Sequence, residues 1–369
     1  MIASQCAVPP VVIGNTVALN DHIGRTSLNY VTVDPRFEPE WDSIVERHAE
    51  SSVFHSSNWA HVLCRSYGHQ ARYLKIERGG QLAALVPLME VNSPLTGRRG
   101  VGLPFTDFCR PLLYQDMTFN EVRDAIFTEG VNRGWKHVEL RDVQSPGLTS
   151  NGNVLGHALD LTPSLTEIFA RFAGSVRTAI RKAEANEVAV QVGTDRSLLK
   201  EYYRLHVATR RRHGLPPQPW SFFGNIESEI FARGRGFVVL ASLAQKPVAG
   251  GVFFHSNRSS VYKFGASDPV GRQACANYLV LWSAIKRARE MGIPMLHFGR
   301  TENRNETLRQ FKQRWGTKEF PINYAKFDPH SGLDLRRTDL TDGIHTSVLR
   351  RCPLFVNRLL GSVLYRHMD

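Results

Sequence analysis

The chain has 369 residues, of which 42% are hydrophobic and 22% charged, and this average composition provides enough apolar material for two ordinary domains. No apolar run reaches the roughly 18 residues that a membrane-spanning helix needs. The formal charge of +12 favours an anionic partner, such as nucleic acid, a phosphorylated sugar or an acidic membrane surface. The five cysteines include no Cys-x-x-Cys pair, which argues against a disulfide framework or a zinc site and predicts a reducing, cytoplasmic location.

The first half of the chain predicts short helices and hairpins after a mobile N-terminal tail at residues 1–27. Met1 to Asn20 contains no Lys or Arg, so it lacks the positive region that precedes a secretory signal. Gly79-Gly80 between two apolar runs is a strong hairpin signal. The predicted elements are helices Glu40–Ser51 and Trp59–Tyr67, strands Ala71–Glu77, Leu82–Val91, Arg99–Leu103 and Pro111–Tyr114, helix Glu121–Arg133 closed by Gly134, and strand His137–Arg141.

The second half repeats this order. Its predicted elements are helices Glu167–Glu187 and Ser197–His213, strands Phe237–Leu243, Val248–His255 and Ser260–Gly265, helix Ala276–Met291 closed by Gly292, and the buried strand Met295–Phe298 followed by a short helix. Gly134 and Gly292, which close the corresponding helices, lie 158 residues apart. A repeat of this length indicates a domain duplication, since solenoid repeats are only about 20–50 residues long.

We therefore predict an α+β fold with two tandem domains, at residues 28–150 and 151–328. The boundary is expected in Ser145–Gly156, which is rich in Ser, Pro, Gly and Asn. Residues 329–369 form a basic C-terminal tail in which Pro353–His367 has the pattern of an amphipathic helix, with Arg350, Arg351, Arg358 and Arg366 beside its apolar residues. This pattern fits peripheral attachment to an anionic inner membrane face through residues 350–367, or a helix that packs on its own domain.

Candidate functional residues are mostly basic, because the chain has no phosphate-binding loop, no nucleophile elbow and no histidine pair with metal-ligand spacing. Arg300 ends the buried strand and Lys312 returns on the next helix, so two cations meet at one edge of a sheet. Arg177 and Arg181 lie one helical turn apart, with Lys182 beside them. Arg212 ends a helix in a cluster of arginines, where cations also suit the helix dipole. A solvated helix surface is the alternative interpretation of these basic runs.

In order and spacing, several segments resemble the Fem-type peptidyltransferases and the related GNAT-like acyltransferases of polysaccharide gene clusters. The resemblance covers roughly Phe37 to Phe327, and the segments that carry it are Phe54-His-Ser-Ser-Asn-Trp59, Arg177–Ala183, Ala208–Gly214, Val261–Ser267 and Met295–Gly316. It implies two GNAT-like domains that face each other across a cleft, with a last strand near Phe320–Phe327 that crosses back toward the first domain. It also implies transfer of an acyl or aminoacyl group to an amine on a nucleotide- or lipid-linked precursor of the cell envelope or of exopolysaccharide.

The resemblance also implies roles for individual residues. Lys312, Phe311 and Arg300 would lie at the reaction centre. The substrate-binding residues would be Arg177, Arg181, Lys182, Arg212, Tyr262, His297 and Trp59, of which Arg212 corresponds best to a phosphate-contacting arginine. His297 departs from the Asp that family members often carry at this position. Gly271-Arg-Gln-Ala-Cys-Ala-Asn277 lacks the glycine of the GNAT pyrophosphate loop, so the donor is left open between aminoacyl-tRNA and acyl-CoA.

The first hypothesis is therefore a cytoplasmic acyltransferase that needs no metal. Its partners would be an anionic nucleotide- or lipid-linked precursor and, for an aminoacyl donor, tRNA. A second hypothesis is a non-catalytic assembly protein of a polysaccharide system that keeps the fold and a basic cleft. A nucleic-acid-binding protein is suggested by the net charge alone, since the chain has no recognised nucleic-acid motif.

Overall fold

The computed structural model describes residues 17–19, 28–114, 116–143, 154–335, 349 and 352–368. The predicted boundary segment lies mostly outside these residues. So does most of the predicted N-terminal tail, but Val17–Leu19 forms a strand that pairs with Leu28–Val33, so this part of the tail joins a sheet.

The first half builds one five-stranded sheet and four strands of a second sheet. Its strands are β1 (Val17–Leu19), β2 (Leu28–Val33), β3 (Gln70–Ala71), β4 (Tyr73–Arg78), β5 (Gln81–Val86), β6 (Met89–Ser93), β7 (Gly97–Val101), β8 (Leu112–Leu113) and β9 (Val138–Arg141), and its helices are α1 (Trp41–Arg47), α2 (Ser57–Tyr67) and α3 (Phe119–Arg133). One sheet has the order β1-β2-β4-β5-β8. Gly79 and Gly80 both have positive φ in the β4–β5 turn, which explains why this hairpin was visible in the sequence.

The second half builds one seven-stranded sheet, of order β11-β12-β13-β14-β15-β10-β16. Its strands are β10 (Val154–Asp160), β11 (Ala189–Gly193), β12 (Gly236–Leu243), β13 (Lys246–His255), β14 (Ser260–Ser267), β15 (Met295–Glu302) and β16 (Lys318–Pro321); its helices are α4 (Leu165–Arg171), α5 (Gly174–Ala185), α6 (Arg196–Arg212), α7 (Trp220–Ile226), α8 (Pro269–Gln273), α9 (Ala276–Glu290) and α10 (Glu306–Gln313). A last strand, β17 (Tyr324–Phe327), leaves this sheet and pairs with β9 in the first half, giving the order β17-β9-β7-β6-β3. The predicted return of the chain to the first domain is therefore confirmed.

The predicted repeat is visible in the topology of the two halves. In each half a strand leads through a helix to a parallel neighbour, β7-α3-β9 in the first and β14-α9-β15 in the second. Both helices are followed by a left-handed glycine, Gly134 at φ 64° and Gly292 at φ 72°. In each half, the two parallel strands are paired through only two residues of each strand. Both halves therefore have a sheet whose central strands separate after a short distance.

Three elements that were each predicted as continuous are divided in the structure. The predicted strand Leu82–Val91 is two strands in different sheets, because Pro87 has no N–H for a central ladder. The predicted helix Glu167–Glu187 breaks between α4 and α5, where Ala173 N donates to Arg314 O. The predicted strand Phe320–Phe327 is likewise divided into β16 and β17, which pair with different halves.

The two halves share a continuous aromatic core. Trp59 on α2 lies against Phe222 on α7 and Phe254 on β13, with ring centroids 6.1 and 5.6 Å away. Phe54 also contacts Phe254 across the same boundary. This buried surface fixes the first half against the second, which matters because the candidate site takes residues from both.

The predicted C-terminal helix is present as α11 (Leu354–Leu364), followed by a short 3-10 turn. It packs on the protein, since Tyr365 is buried and accepts a 2.7 Å hydrogen bond from Arg210 Nη2. In the described part of the chain, no helix is both long enough and apolar enough to cross a membrane.

Candidate functional site

The candidate site lies where the parallel strands β14 and β15 separate. They pair only at Ser260–Leu296 and Val261–His297, although both strands continue for several residues. Beyond the last pair, the backbones open a gap in the middle of the sheet.

Both strands carry a bulge at this gap. Phe253 pairs with Tyr262 whereas Val252 pairs with Phe264, so Lys263 is an extra residue on β14. The β10–β15 register shifts in the same way around Gly299, whose φ is +71°. A bulge redirects side chains and leaves backbone groups out of the ladder. The sequence therefore places Lys263 and the carbonyls of β15 in positions that a regular sheet would not allow.

Lys312 binds the backbone of the β15 bulge. Its Nζ donates to Gly299 O at 3.1 Å and to Arg300 O at 2.9 Å, and its side chain is buried. An ammonium group has three protons, and these two acceptors leave one for a ligand. Phe311, its neighbour on α10, contacts Tyr278 and Trp315 instead. The predicted pair is thus divided between the site and the core of the second half.

A strained loop of the first half brings a carboxylate to the same place. Leu103 and Phe105 both have positive φ, near 58° and 60°, in the loop that follows β7. Such residues cost about 1–3 kcal/mol each and cluster at functional sites. Arg141 Nη1 fixes the loop by donating to Thr106 O at 2.5 Å. The next residue, Asp107, then extends toward β14 and β15.

Asp107 joins both halves through an ion cluster. Lys263 Nζ lies 3.2 Å from Asp107 Oδ2, and Arg300 Nε lies 4.0 Å from Asp107 Oδ1. Tyr324 on β17 donates its hydroxyl to Asp107 O at 2.7 Å and accepts from Arg300 Nη1 at 3.2 Å. With Lys312 nearby, three cations face one carboxylate, so the cluster retains an excess of positive charge.

Burial and charge determine the protonation states in the cluster. Burial alone would raise the pKa of Asp107, but Lys263, Arg300 and Lys312 hold that pKa below its usual value, so the carboxylate stays ionised. Burial lowers the pKa of Lys312 to about 8, with Asp107 opposing this shift and Arg300 adding to it. Lys312 is therefore a cation near neutral pH that loses its proton far more readily than an exposed lysine does.

An open cavity of about 670 Å³ adjoins the cluster at the C-terminal end of β15. Arg300 forms part of its wall, together with residues of the β15–α10 turn and the first turn of α10. Glu302 and Glu306 bring carboxylates to this wall, and Arg304 pairs with Glu302 at 2.9 Å. The mixture of charges suits a ligand that carries both an amine and an anionic group.

A second cationic region lies at the far end of β14. Arg212, at the end of α6, has a pKa lowered first by burial and then by repulsion from Arg272 on α8, while Asp268 opposes the shift. Asp268 Oδ1 is occupied by the N–H of Gly271 at 2.6 Å. Asp268 is five positions after Lys263, which corresponds to roughly 15 Å along an extended strand. Two arginines that repel each other are a suitable contact for a phosphate.

Gly271 serves packing in this region. A Cβ at this position would lie 2.3 Å from Val248 O on β13, so glycine is required by the sheet. The N–H of Gly271 already donates to Asp268 Oδ1, so this backbone group is not available to bind a pyrophosphate as it would in a pyrophosphate loop.

The basic residues of α5 lie elsewhere on the second half. Arg177 Nη1 donates to Ala170 O and Phe172 O at 2.8 and 2.7 Å, and so holds the break between α4 and α5. Arg181 is exposed and lies over the Phe169 ring, and Lys182 is also exposed. The hydrogen bonds and ring contacts of Arg177 and Arg181 thus stay within the α4–α5 region.

Three further predicted residues are aromatic or imidazole groups in packed surroundings. Trp59 is fully buried in the shared core, so no substrate can reach it in this structure and we assign it a packing role. Tyr262 stacks on Phe253, and burial raises its pKa to about 12. His297 lies between Phe108 and Phe320, and burial lowers its pKa to about 4. His297 is therefore a neutral ring at the boundary of the two halves.

Asp107, Lys263 and Tyr324 were missed by the sequence analysis. Lys263 did give a signal, because it is a charged residue between two aromatic residues of an otherwise apolar strand. Asp107 gave none, since its partner Lys263 is 156 residues away. In the described residues, no group of three or more His, Cys, Asp or Glu is arranged to hold a metal ion.

Comparisons with known proteins identify similar domains and folds. Residues 170–313 match the family model described as an acetyltransferase (GNAT) domain. A comparison with curated proteins found no match. Among solved structures, FemX has a TM-score of 0.63 and 16% identity, with 79% of this chain and 94% of that chain covered.

Two other solved structures show the same fold over most of this chain. A tandem GNAT protein from the clavulanic acid biosynthesis pathway has a TM-score of 0.53 and 10% identity, covering 82% of this chain and 98% of that one. The C-terminal domain of a putative lysylphosphatidylglycerol synthetase from Agrobacterium fabrum has a TM-score of 0.52 and 12% identity, covering 87% and 95%. The predicted tandem GNAT-like fold is confirmed, and with the matched domain the prediction of an acyltransferase is confirmed too.

Proposed function

We propose that this acyltransferase moves an acyl or aminoacyl group to an amine on a nucleotide- or lipid-linked precursor of the cell envelope or of exopolysaccharide. The observation that carries the proposal is the excess of buried cations at the gap between β14 and β15, where Lys312 contacts two backbone carbonyls and pairs with no carboxylate among the described residues. A buried positive excess suits an anionic carrier and the negative charge that develops during acyl transfer.

The donor runs along β14 in this proposal. Its phosphates contact Arg212 and Arg272, and its reactive carbonyl reaches Lys312 at the gap. The packing role of Gly271 favours aminoacyl-tRNA over acyl-CoA, because a CoA pyrophosphate usually binds a glycine-lined backbone cradle. The exposed Arg181 and Lys182 form a separate basic surface that a ligand as large as tRNA would also contact in this proposal. This donor also fits the predicted cytoplasmic location.

The chemistry needs a neutral amine and a stabilised oxyanion. The amine nitrogen attacks the ester carbonyl, the carbonyl oxygen takes up negative charge, and the bond to the carrier oxygen then breaks. Lys312 donates its third proton in a hydrogen bond to that oxygen, and the proton lost by the amine passes to the leaving oxygen. The acceptor amine binds in the cavity beside Arg300, where Glu302 and Glu306 attract it as an ammonium; it gives one proton to solvent water to become the neutral nucleophile.

A direct assay tests this proposal. The purified chain is incubated with either total aminoacyl-tRNA or an acyl-CoA mixture, and with a UDP-linked or lipid-linked sugar peptide that has a free amine. We expect an amide product, resistant to hydroxylamine, whose mass increases by one aminoacyl or acyl group. Formation of an ester only, or no product from any donor and acceptor pair with folded protein, would contradict the proposal.

Arg212→Ala is expected to raise KM for the donor by about 10- to 100-fold and to leave kcat nearly unchanged, because one charge-assisted hydrogen bond to a phosphate is lost in both ground and transition states. Steady-state kinetics with the donor identified above measure both constants. Arg204→Ala is the matched control, since Arg204 is on the same helix but pairs with Glu201 at the surface. Equal KM values for the two variants would exclude Arg212 from donor binding.

A further inference from the structure

Helix α11 is attached to the second half through a face of small and polar residues. Asn357 Nδ2 donates to Leu215 O at 3.3 Å, and Tyr365 donates its hydroxyl to Pro216 O at 3.2 Å. A Cβ on Gly361 would lie 2.0 Å from Pro217 O, so only glycine allows this close contact. These three residues recur every fourth position and form the inner face of the helix. The helix is therefore folded and held in place.

The outer face of α11 is apolar, which is the reverse of an ordinary surface helix. Phe355, Leu359 and Val363 are 73%, 64% and 52% exposed and follow one another at four-residue spacing. Leu354 is exposed beside them. A surface helix normally turns its apolar stripe inward. Exposing a continuous apolar stripe on a fixed helix indicates that this stripe has a partner.

The stripe continues onto the neighbouring helices. Phe355 and Leu359 border a shallow groove of about 340 Å³ whose other wall contains Tyr203 and Trp220. Trp and Tyr are the residues that favour the boundary between water and lipid, because one end is apolar and the other polar. The apolar surface thus has an aromatic edge.

Arginines surround this surface. Arg358 lies over the Tyr203 ring, Arg196 lies over Trp220, and Arg366 is exposed at the end of the segment. Arg196 is paired with Glu227 at 2.9 Å. From Leu349 to Met368 the sequence contains four arginines and no Asp or Glu. The charge around the apolar stripe is therefore complementary to an anionic surface.

We propose that the outer face of α11 docks onto an anionic lipid bilayer, with Phe355, Leu359 and Val363 in the interfacial region and Arg358 and Arg366 on lipid phosphates. Packing on the protein and binding to a membrane, which are alternatives on the sequence pattern alone, then use opposite faces of one helix. The inference does not depend on the proposed donor or acceptor. Because the helix is already folded, docking fixes the orientation of the site relative to the bilayer.

A second copy of the chain is a poorer partner. The stripe is a single helical ridge of four side chains, whereas a stable dimer buries about 800 Å² on each partner. A symmetric contact across this ridge would also bring Arg358 and Arg366 close to their own copies. Lipid phosphates neutralise these charges, whereas a second copy would double them.

Vesicle flotation with the full chain tests the proposal. We expect binding to phosphatidylcholine vesicles that contain one third phosphatidylglycerol, weaker binding to pure phosphatidylcholine, and release at high salt. The double variant Phe355→Ser/Leu359→Ser should lose more than about 10-fold in vesicle partitioning, because two apolar side chains no longer insert. Arg358→Gln and Arg366→Gln should each lose about fivefold on anionic vesicles.

Phe37→Ser is the matched control, since Phe37 is equally exposed but lies in the first half; it should bind vesicles as the parent chain does. Circular dichroism and turnover with a water-soluble acceptor establish that the Phe355→Ser/Leu359→Ser variant is folded. The proposal would be overturned if the parent chain did not bind, if the Phe355→Ser/Leu359→Ser variant bound as well as the parent chain, or if the parent chain bound neutral vesicles equally well. The proposal would also be overturned if the parent chain were dimeric in solution and the Phe355→Ser/Leu359→Ser variant were monomeric.

Discussion

Lys312→Met is expected to lower kcat by about 100- to 1,000-fold with little change in KM, because one preformed donor to the oxyanion is worth that much. Methionine keeps the length and volume of the side chain but cannot donate to the carbonyls of Gly299 and Arg300 or to a ligand. Single-turnover kinetics on the variant separate the chemical step from binding. Lys318→Met is the control, because Lys318 is exposed on β16, and it should keep full activity.

The pH dependence of kcat/KM tests whether Lys312 acts as a cation or as a neutral base. Lys312 acts as a cation in the proposed mechanism, and its pKa is about 8 in the free protein. The parent chain should therefore lose kcat/KM as the pH rises through about 8, since kcat/KM reports groups of the free enzyme. The residual activity of Lys312→Met should lack this alkaline limb. A rise through pH 8 that is present in the parent chain and absent from Lys312→Met would instead identify neutral Lys312 as a base and would contradict the oxyanion role.

The duplicated topology was predictable because its signals are local. Gly134 and Gly292 end helices at positive φ, and a glycine after an apolar helix predicts that end without any knowledge of the rest of the chain. Arg300 and Lys312 were also within reach of sequence reasoning, because a strand end and the next helix are adjacent in the chain and therefore in space.

The remaining features depend on residues that are distant in sequence. At the break before α5, the Phe172 ring meets Trp282 and Trp315, and within the segment only Gly174 gives a weak signal for the break. Trp59 belongs to a segment that resembles the family, but its burial depends on Phe222 and Phe254 of the other half. Asp107 reaches the site only because two strained residues turn its loop. Sequence patterns report local backbone preference and do not report such contacts.

Asp107→Asn is expected to reduce the free energy of unfolding by about 3–5 kcal/mol, because it leaves buried Lys263 without its anion. Asparagine keeps the shape of the side chain and leaves the backbone bond from Tyr324 in place, so the effect reports charge. Urea unfolding at neutral pH measures it. Asp34→Asn is the matched control: Asp34 pairs with Arg36 two residues away in a more exposed position, and its loss should cost no more than about 1 kcal/mol.

A double-mutant cycle distinguishes the buried pair from a general effect of substitution at Asp107. Lys263→Met removes the cation whose burial becomes costly, so adding it to Asp107→Asn should restore stability, and the two changes should be less damaging together than their sum by at least about 1 kcal/mol. Arg300 retains Tyr324 as a partner in every variant of the cycle. Because Asp107 comes from the first half and Lys263 from the second, a large coupling energy would mean that the same ion pair both joins the two halves and holds the carboxylate in the candidate site. Additive effects would mean instead that other contacts, such as the aromatic core and the β17–β9 pairing, hold the halves together and that the ion pair contributes to the site without contributing to the fold.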